Sequence, residues 1–143
     1  MSTIHVVLLG FCAWTLLLVV VGIGVPRLYH AFVRGRSPTE FTPQGSELGP
    51  VVARVARAHA NCVENLPLLA GLVLVAQAAG ATALLDPLAW PFLAARIAQS
   101  LVHIASGSAA AIGLRFAFFF VQVVIYVVWI VRLAALACPA LGA

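Results

Sequence analysis

The sequence predicts an all-α integral membrane protein, a four-transmembrane-helix bundle formed by residues 1–143 as one domain. Two observations carry that prediction. Hydrophobic residues make up 64% of the chain and charged residues only 8%, where a soluble domain carries roughly 25% charged residues, and the mean hydropathy is +1.11. About 20 apolar residues are needed for each membrane crossing, so a chain of this length, taken as one domain, holds at most about four or five transmembrane helices. A disordered chain and an ordinary soluble domain are both excluded.

Helix 1 is expected over about residues 4–33. From Ile4 to Val25 the chain is almost wholly apolar, longer than the apolar core of a signal peptide and without its basic start. Pro26 is expected to kink it before an interfacial end with Arg27, Tyr29 and His30. Residues 34–50 are a loop, because Gly35 to Pro50 holds three Pro and three Gly among sixteen residues,. Helix 2, about residues 51–80, has a polar first half and a clean apolar run only from Leu66 to Ala79, too short to cross alone. Helix 3 is expected at about 88–106 after the turn at Asp86-Pro87, and helix 4 at about 114–137, its start marked by Arg115.

All eight basic residues are Arg, against four acids, for a formal net charge of +4. They are scattered through apolar runs rather than gathered on one solvated face, which argues against nucleic acid as a partner. The first and third loops and adjoining helix ends carry Arg27, Arg34, Arg36, Arg54, Arg57 and Arg115, whereas the second loop offers Asp86 and the N-terminus no basic residue. The positive-inside rule then puts those two loops in the cytoplasm and both termini outside; a short chain of this kind fits a bacterial inner membrane. Cys12, Cys62 and Cys138 lie far apart, in or beside apolar segments where a thiol is a small hydrophobe, so neither a disulfide framework nor a metal site is expected.

Charges within membrane helices are costly, roughly 2.5–3.5 kcal/mol each at a helix centre, and mark sites or ion pairs. On helix 2, Arg57, Asn61 and Glu64 fall at i, i+4 and i+7, within about 60° on one face, and Arg54 extends that stripe by a turn. Helix 3 aligns Arg96, Gln99, Ser100 and His103; helix 4 aligns Arg115, Gln122, Tyr126 and Trp129. An Arg57–Glu64 pair would be a purely structural explanation. Basic charge nevertheless exceeds the one acid in the stripes, which points to an anionic ligand held by guanidinium groups, with Glu64 available to a ligand ammonium. His59 is read first as a structural histidine and His103 as a pocket candidate. Phe116, Phe118, Phe119 and Phe120, with Trp90 and Trp129, are expected to face lipid or its interface.

The run Arg54-Val55-Ala56-Arg57-Ala58-His59-Ala60-Asn61-Cys62-Val63-Glu64-Asn65-Leu66-Pro67 resembles the helix 2 signature of the MAPEG family, the membrane-associated proteins of eicosanoid and glutathione metabolism. It is most like the version found in microsomal glutathione transferases. Ala95-Arg96-Ile97 and the Arg115 of helix 4 resemble the family's next landmarks, so that the likeness covers nearly the whole chain. It implies a homotrimer of four-helix subunits with glutathione as co-substrate, held in a cytoplasm-facing site between subunits, and a hydrophobic small molecule or lipid entering from the bilayer. Arg57, Asn61 and Glu64 would bind the tripeptide, with Arg54, His59, Arg96 and His103 as further contacts, and Arg115 would lie by the sulfur as the catalytic residue. To bring a thiol pKa from about 8.5 to about 6.5 takes about 2.7 kcal/mol of preference for the thiolate, within reach of one close guanidinium.

The departures from that pattern also bear on function. Where relatives carry tyrosines on helix 3 after the Arg-Ile pair, this chain has Ala98 and His103, and Gln99 stands where a His is familiar. Asn65 follows Glu64 where eicosanoid-specialised members have a Tyr, which argues against leukotriene synthesis. The expected activity is therefore a membrane glutathione transferase or peroxidase. The alternative is a non-catalytic member of the fold that binds a lipid or a membrane-protein partner in the same groove.

Overall fold

A computed structural model describes residues 1–137 as four antiparallel helices long and apolar enough to cross a membrane. Helix 1 runs Thr3–Phe32 and is α-helical to Val19, opens into a π-turn over Val20–Gly24, and resumes as α-helix over Val25–Phe32. Pro26 explains the interruption: it has no N–H for the carbonyl one turn back, and the wider turn absorbs the mismatch. Within that turn Gly22 lies against Val55 of helix 2, where any Cβ would overlap the Val55 side chain. The bare backbone lets the two helices touch.

The following loop is tied down by its own polar residues. It makes two 3₁₀ turns, Pro38–Glu40 and Ser46–Leu48. Arg36 pairs with Glu40 at 3.0 Å and donates to the Glu47 carbonyl at 2.9 Å, while Arg27 reaches back to the Thr42 carbonyl. The Thr42 hydroxyl donates to the Glu47 carboxylate at 2.6 Å and is the main cause holding that carboxyl below the usual range.

Helix 2, Pro50–Ala78, opens on a proline, whose missing N–H costs nothing in a first turn, and passes Pro67 without breaking,. Helix 3, Asp86–Ala105, begins two residues before its expected start; the Asp86 carboxylate accepts from the Ile4 backbone N–H at 2.8 Å, joining this turn to the start of helix 1,. Helix 4, Ala109–Ala137, begins at Ala109 rather than near Leu114. Its start is capped by the Ser108 hydroxyl, which accepts from the Ala111 N–H at 3.3 Å, and the alanines that follow propagate the helix despite Gly113,. Arg115 therefore lies in the second turn of helix 4 instead of opening it.

Helices 3 and 4 share the most extensive contact, helix 1 packs across helices 2 and 3, and helices 2 and 4 meet only slightly. Phe92 centres the core, its ring 6.2 Å from that of Phe11, 4.9 Å from Tyr126 and 5.3 Å from Trp129. Trp129 corrects an expectation. Trp90 is exposed as anticipated, but Trp129 is fully buried in this aromatic cluster, because the face of helix 4 that carries Gln122 and Tyr126 turns inward. Gly10 provides the close approach to helix 3, since a Cβ there would come within 2.9 Å of Leu93.

The two ends of the bundle are closed differently. At the end bearing the first loop, Arg54 donates from Nε to the Ile104 carbonyl at 2.8 Å, joining helix 2 to the last turn of helix 3. At the opposite end Arg132 donates to the Leu84 carbonyl at 3.0 Å. Arg132 gives this end one basic residue against six at the other, so the charge bias expected from the sequence keeps its sign. Cys138 and the C-terminal end lie outside the described residues.

Candidate functional site

Helices 2, 3 and 4 are drawn together at mid-depth by hydrogen bonds to the backbone of helix 2. The Asn61 carbonyl accepts from Arg96 Nη1 at 3.4 Å and from Asn65 Nδ2 at 2.9 Å, and the Asn65 carbonyl accepts from the Tyr126 hydroxyl at 3.2 Å. These carbonyls sit in the turns just before Pro67, which itself leaves one helical carbonyl without its usual partner. Towards the first-loop end, helices 2 and 4 separate and leave a groove of about 300 Å³ between them, floored by helix 3.

Arg57 and Asn61 enter this groove from helix 2, Gln99 and His103 from helix 3, and Ile112, Arg115, Phe116 and Phe119 from helix 4. The helical periods bring them there: 57 and 61, 99 and 103, and 112, 115, 116 and 119 are each spaced to share one face. Among the described residues no carboxylate lines the groove, and two guanidiniums do. A cavity furnished with donors at the edge of a low-dielectric core is suited to an anionic group, and Arg can meet a carboxylate with two parallel hydrogen bonds. Ile112, Phe116 and Phe119 form an apolar wall. These three are also exposed on the outside of helix 4, so the wall is continuous with the lipid-facing surface.

Of the eight residues that the family resemblance assigns to glutathione or catalysis, the groove unites Arg57, Asn61, His103 and Arg115. The other four lie elsewhere in the single chain. Arg54 is committed to Ile104, and His59 is part-buried without lining the groove. Glu64 is exposed on the outer face of helix 2, and among the described residues Arg36–Glu40 is the ion pair that forms, not Arg57–Glu64. Arg96 is only 1% exposed. Its guanidinium lies 5.6 Å from the centre of the Phe11 ring, with Nε and Nη2 buried and unpartnered, so it belongs to the core beneath the groove.

Two features of the site are not among those expected from the sequence. Phe116 and Phe119, expected to face lipid or its interface, also flank the groove, as their spacing from Arg115 allows,. The second is a buried pair, Gln99 and Gln122, whose amides meet at 3.0 Å; both stood on the helical stripes, but nothing in one sequence showed that they touch.

On the other side of Arg57 a second crevice of about 360 Å³ is lined by Pro43, Gln44, Ala53, Ala56, Ala60 and Arg57 itself. Arg57 therefore borders both spaces. The three alanines make a shallow face that permits close helix approach.

The model of the MAPEG family matches residues 4–135, nearly the whole chain. No curated protein and no solved structure matches it.

Proposed function

The chain belongs to the MAPEG family, and from that premise we propose that it is a membrane-bound glutathione S-transferase or peroxidase that activates the glutathione thiol. Membership carries a general role in glutathione or eicosanoid metabolism at a membrane, and four apolar helices make the protein a multi-pass integral one. The observation that carries the finer reading is the convergence of Arg57, Asn61, His103 and Arg115, from three helices, on one groove without a carboxylate.

In this reading Arg57 and Asn61 hold the polar groups of the tripeptide and Arg115 faces the sulfur. The thiol proton leaves to water through the open side of the groove, and the guanidinium stabilises the thiolate that remains. An apolar electrophile or lipid hydroperoxide arrives along the wall of Ile112, Phe116 and Phe119. For an electrophile the thiolate forms the new C–S bond while the leaving group departs with its electron pair.

Glutathione occupies the cytoplasmic side of a bacterial inner membrane in this account, consistent with the arginines gathered at that end. The assembly is a homotrimer. An outward-facing Glu64 on a membrane helix would cost a few kcal/mol against lipid, and a neighbouring copy that covers it, and the crevice beyond Arg57, removes that cost. Glu64 then becomes available to a ligand amine between subunits.

The test is a calorimetric titration of the detergent-purified protein with glutathione. Saturable binding at or below millimolar concentration is expected, and its absence contradicts the reading. That absence would favour the second reading, a non-catalytic protein holding a lipid or membrane-protein partner in the groove, to which one observation lends weight: none of the lining residues carries a hydroxyl.

A further inference from the structure

Gln122 is fully buried on helix 4, and Gln99, 8% exposed, lines the groove from helix 3. A chain of acceptors fixes how their amides point. The Phe118 carbonyl can only accept, so the Gln122 atom 2.9 Å from it is Nε2,. The same nitrogen lies 3.0 Å from Gln99, so the Gln99 atom facing it is the acceptor Oε1. Both hydrogens of Gln122 Nε2 are then used. The Gln99 amide is left with its NH₂ end turned away from Gln122, and among the described residues that nitrogen is neither enclosed nor hydrogen-bonded. Gln122 Oε1 is buried without a partner, a cost that a pair serving only to join two helices has no need to bear,.

We infer that Gln122 is a positioning residue that holds the Gln99 carboxamide with its NH₂ end toward the groove, so that Gln99 donates to an anionic group of glutathione, a carboxylate or the thiolate. This rests on the reading of the groove as a glutathione site. An untethered glutamine presents oxygen or nitrogen with equal ease; the tether selects the donor face, which matches the flanking guanidiniums of Arg57 and Arg115 in rejecting cations. Gln99 is a ligand-binding residue in this arrangement, and Gln122 acts only through it.

The experiment is a double-mutant cycle on glutathione affinity in the purified full chain, with Gln99→Leu, Gln122→Leu and the double variant. Gln99→Leu should weaken binding about tenfold to hundredfold, the value of a hydrogen bond to a charged group. Gln122→Leu should weaken it about threefold to tenfold, the cost of ordering a freed side chain. The double variant should match Gln99→Leu. Gln122→Met, close in shape and unable to donate, should behave as Gln122→Leu and replaces it if the leucine variant does not fold. Repeating the cycle with S-methylglutathione separates the two anions: the pattern persists for a carboxylate and vanishes for the thiolate. Wild-type affinity in Gln122→Leu or Gln122→Met overturns the inference alone, as does a full additional loss in the double variant. No glutathione binding by the wild type overturns the functional reading and this inference with it.

Discussion

The bundle behaves oppositely on the two sides of the Asn65–Tyr126 contact, with helices 3 and 4 taking part in both halves. On one side Phe11, Phe92, Tyr126 and Trp129 fill the space between helices with aromatic rings at 4.9–6.2 Å. On the other side Arg57, Asn61, Gln99, His103 and Arg115 line a space that stays open. Charged and amide side chains do not close on one another without leaving donors unpaired, which low-dielectric surroundings penalise heavily. The aromatic half therefore holds the helices at fixed spacing, and the polar half inherits a cavity. The packed core and the open groove are thereby separated along the bundle axis, and substitutions in one half should leave the property of the other half intact.

The largest expected effect is on stability. Phe92→Ala removes the ring at the centre of the aromatic cluster and should cost about 3–5 kcal/mol, as large-to-small changes in packed cores do, while the glutathione affinity of the still-folded protein stays within about threefold. Unfolding followed in detergent, paired with calorimetry below the transition, checks both. A parallel fall in affinity would show that the halves are coupled. Arg57→Ala should do the reverse, weakening glutathione binding about tenfold to hundredfold through the loss of charge-assisted hydrogen bonds without lowering the melting temperature. The smallest effect is expected at the boundary. Arg96 keeps one long hydrogen bond and leaves Nε and Nη2 unpartnered, so Arg96→Met, which retains length and the contact with Phe11, should leave the melting temperature unchanged or raised. Its glutathione affinity should also be unchanged; a marked loss would place Arg96 in the site after all.

Much of the fold could be read from the sequence because bilayer thickness dictates helix length, and the four expected segments became four helices, helix 2 with its polar first half included,. The interruption before Pro26 was foreseen as a kink, although not as a π-turn. The start of helix 4 was misplaced because Gly107 and Gly113 frame the alanines 109–111, whose helical tendency prevails once Ser108 caps them. Within the site, the stripes on helices 2, 3 and 4 contained Arg57, Asn61, Gln99, His103 and Arg115, which line the groove, together with Arg54, Glu64 and Arg96, which do not. Periodicity says which residues share a face but not how far along its axis each helix meets its neighbours. That is why Arg96, on the same stripe as His103, belongs to the core; Trp129, by contrast, shares the inward stripe of Gln122 and Tyr126, and its helical period outweighs the interfacial preference of tryptophan,. The Gln99–Gln122 contact depends on the mutual register of two helices, which a single sequence does not encode locally.

The central claim is that the groove at the arginine-rich end activates a thiol through Arg115. Its most direct measurement is the ultraviolet absorbance of the glutathione thiolate on mixing with saturating protein, in the wild type and in Arg115→Ala, with binding heats and melting temperatures recorded alongside. The account predicts a thiolate signal in the wild type that is lost in Arg115→Ala while the variant still binds glutathione and melts as the wild type does. A thiolate signal undiminished in that variant would contradict it.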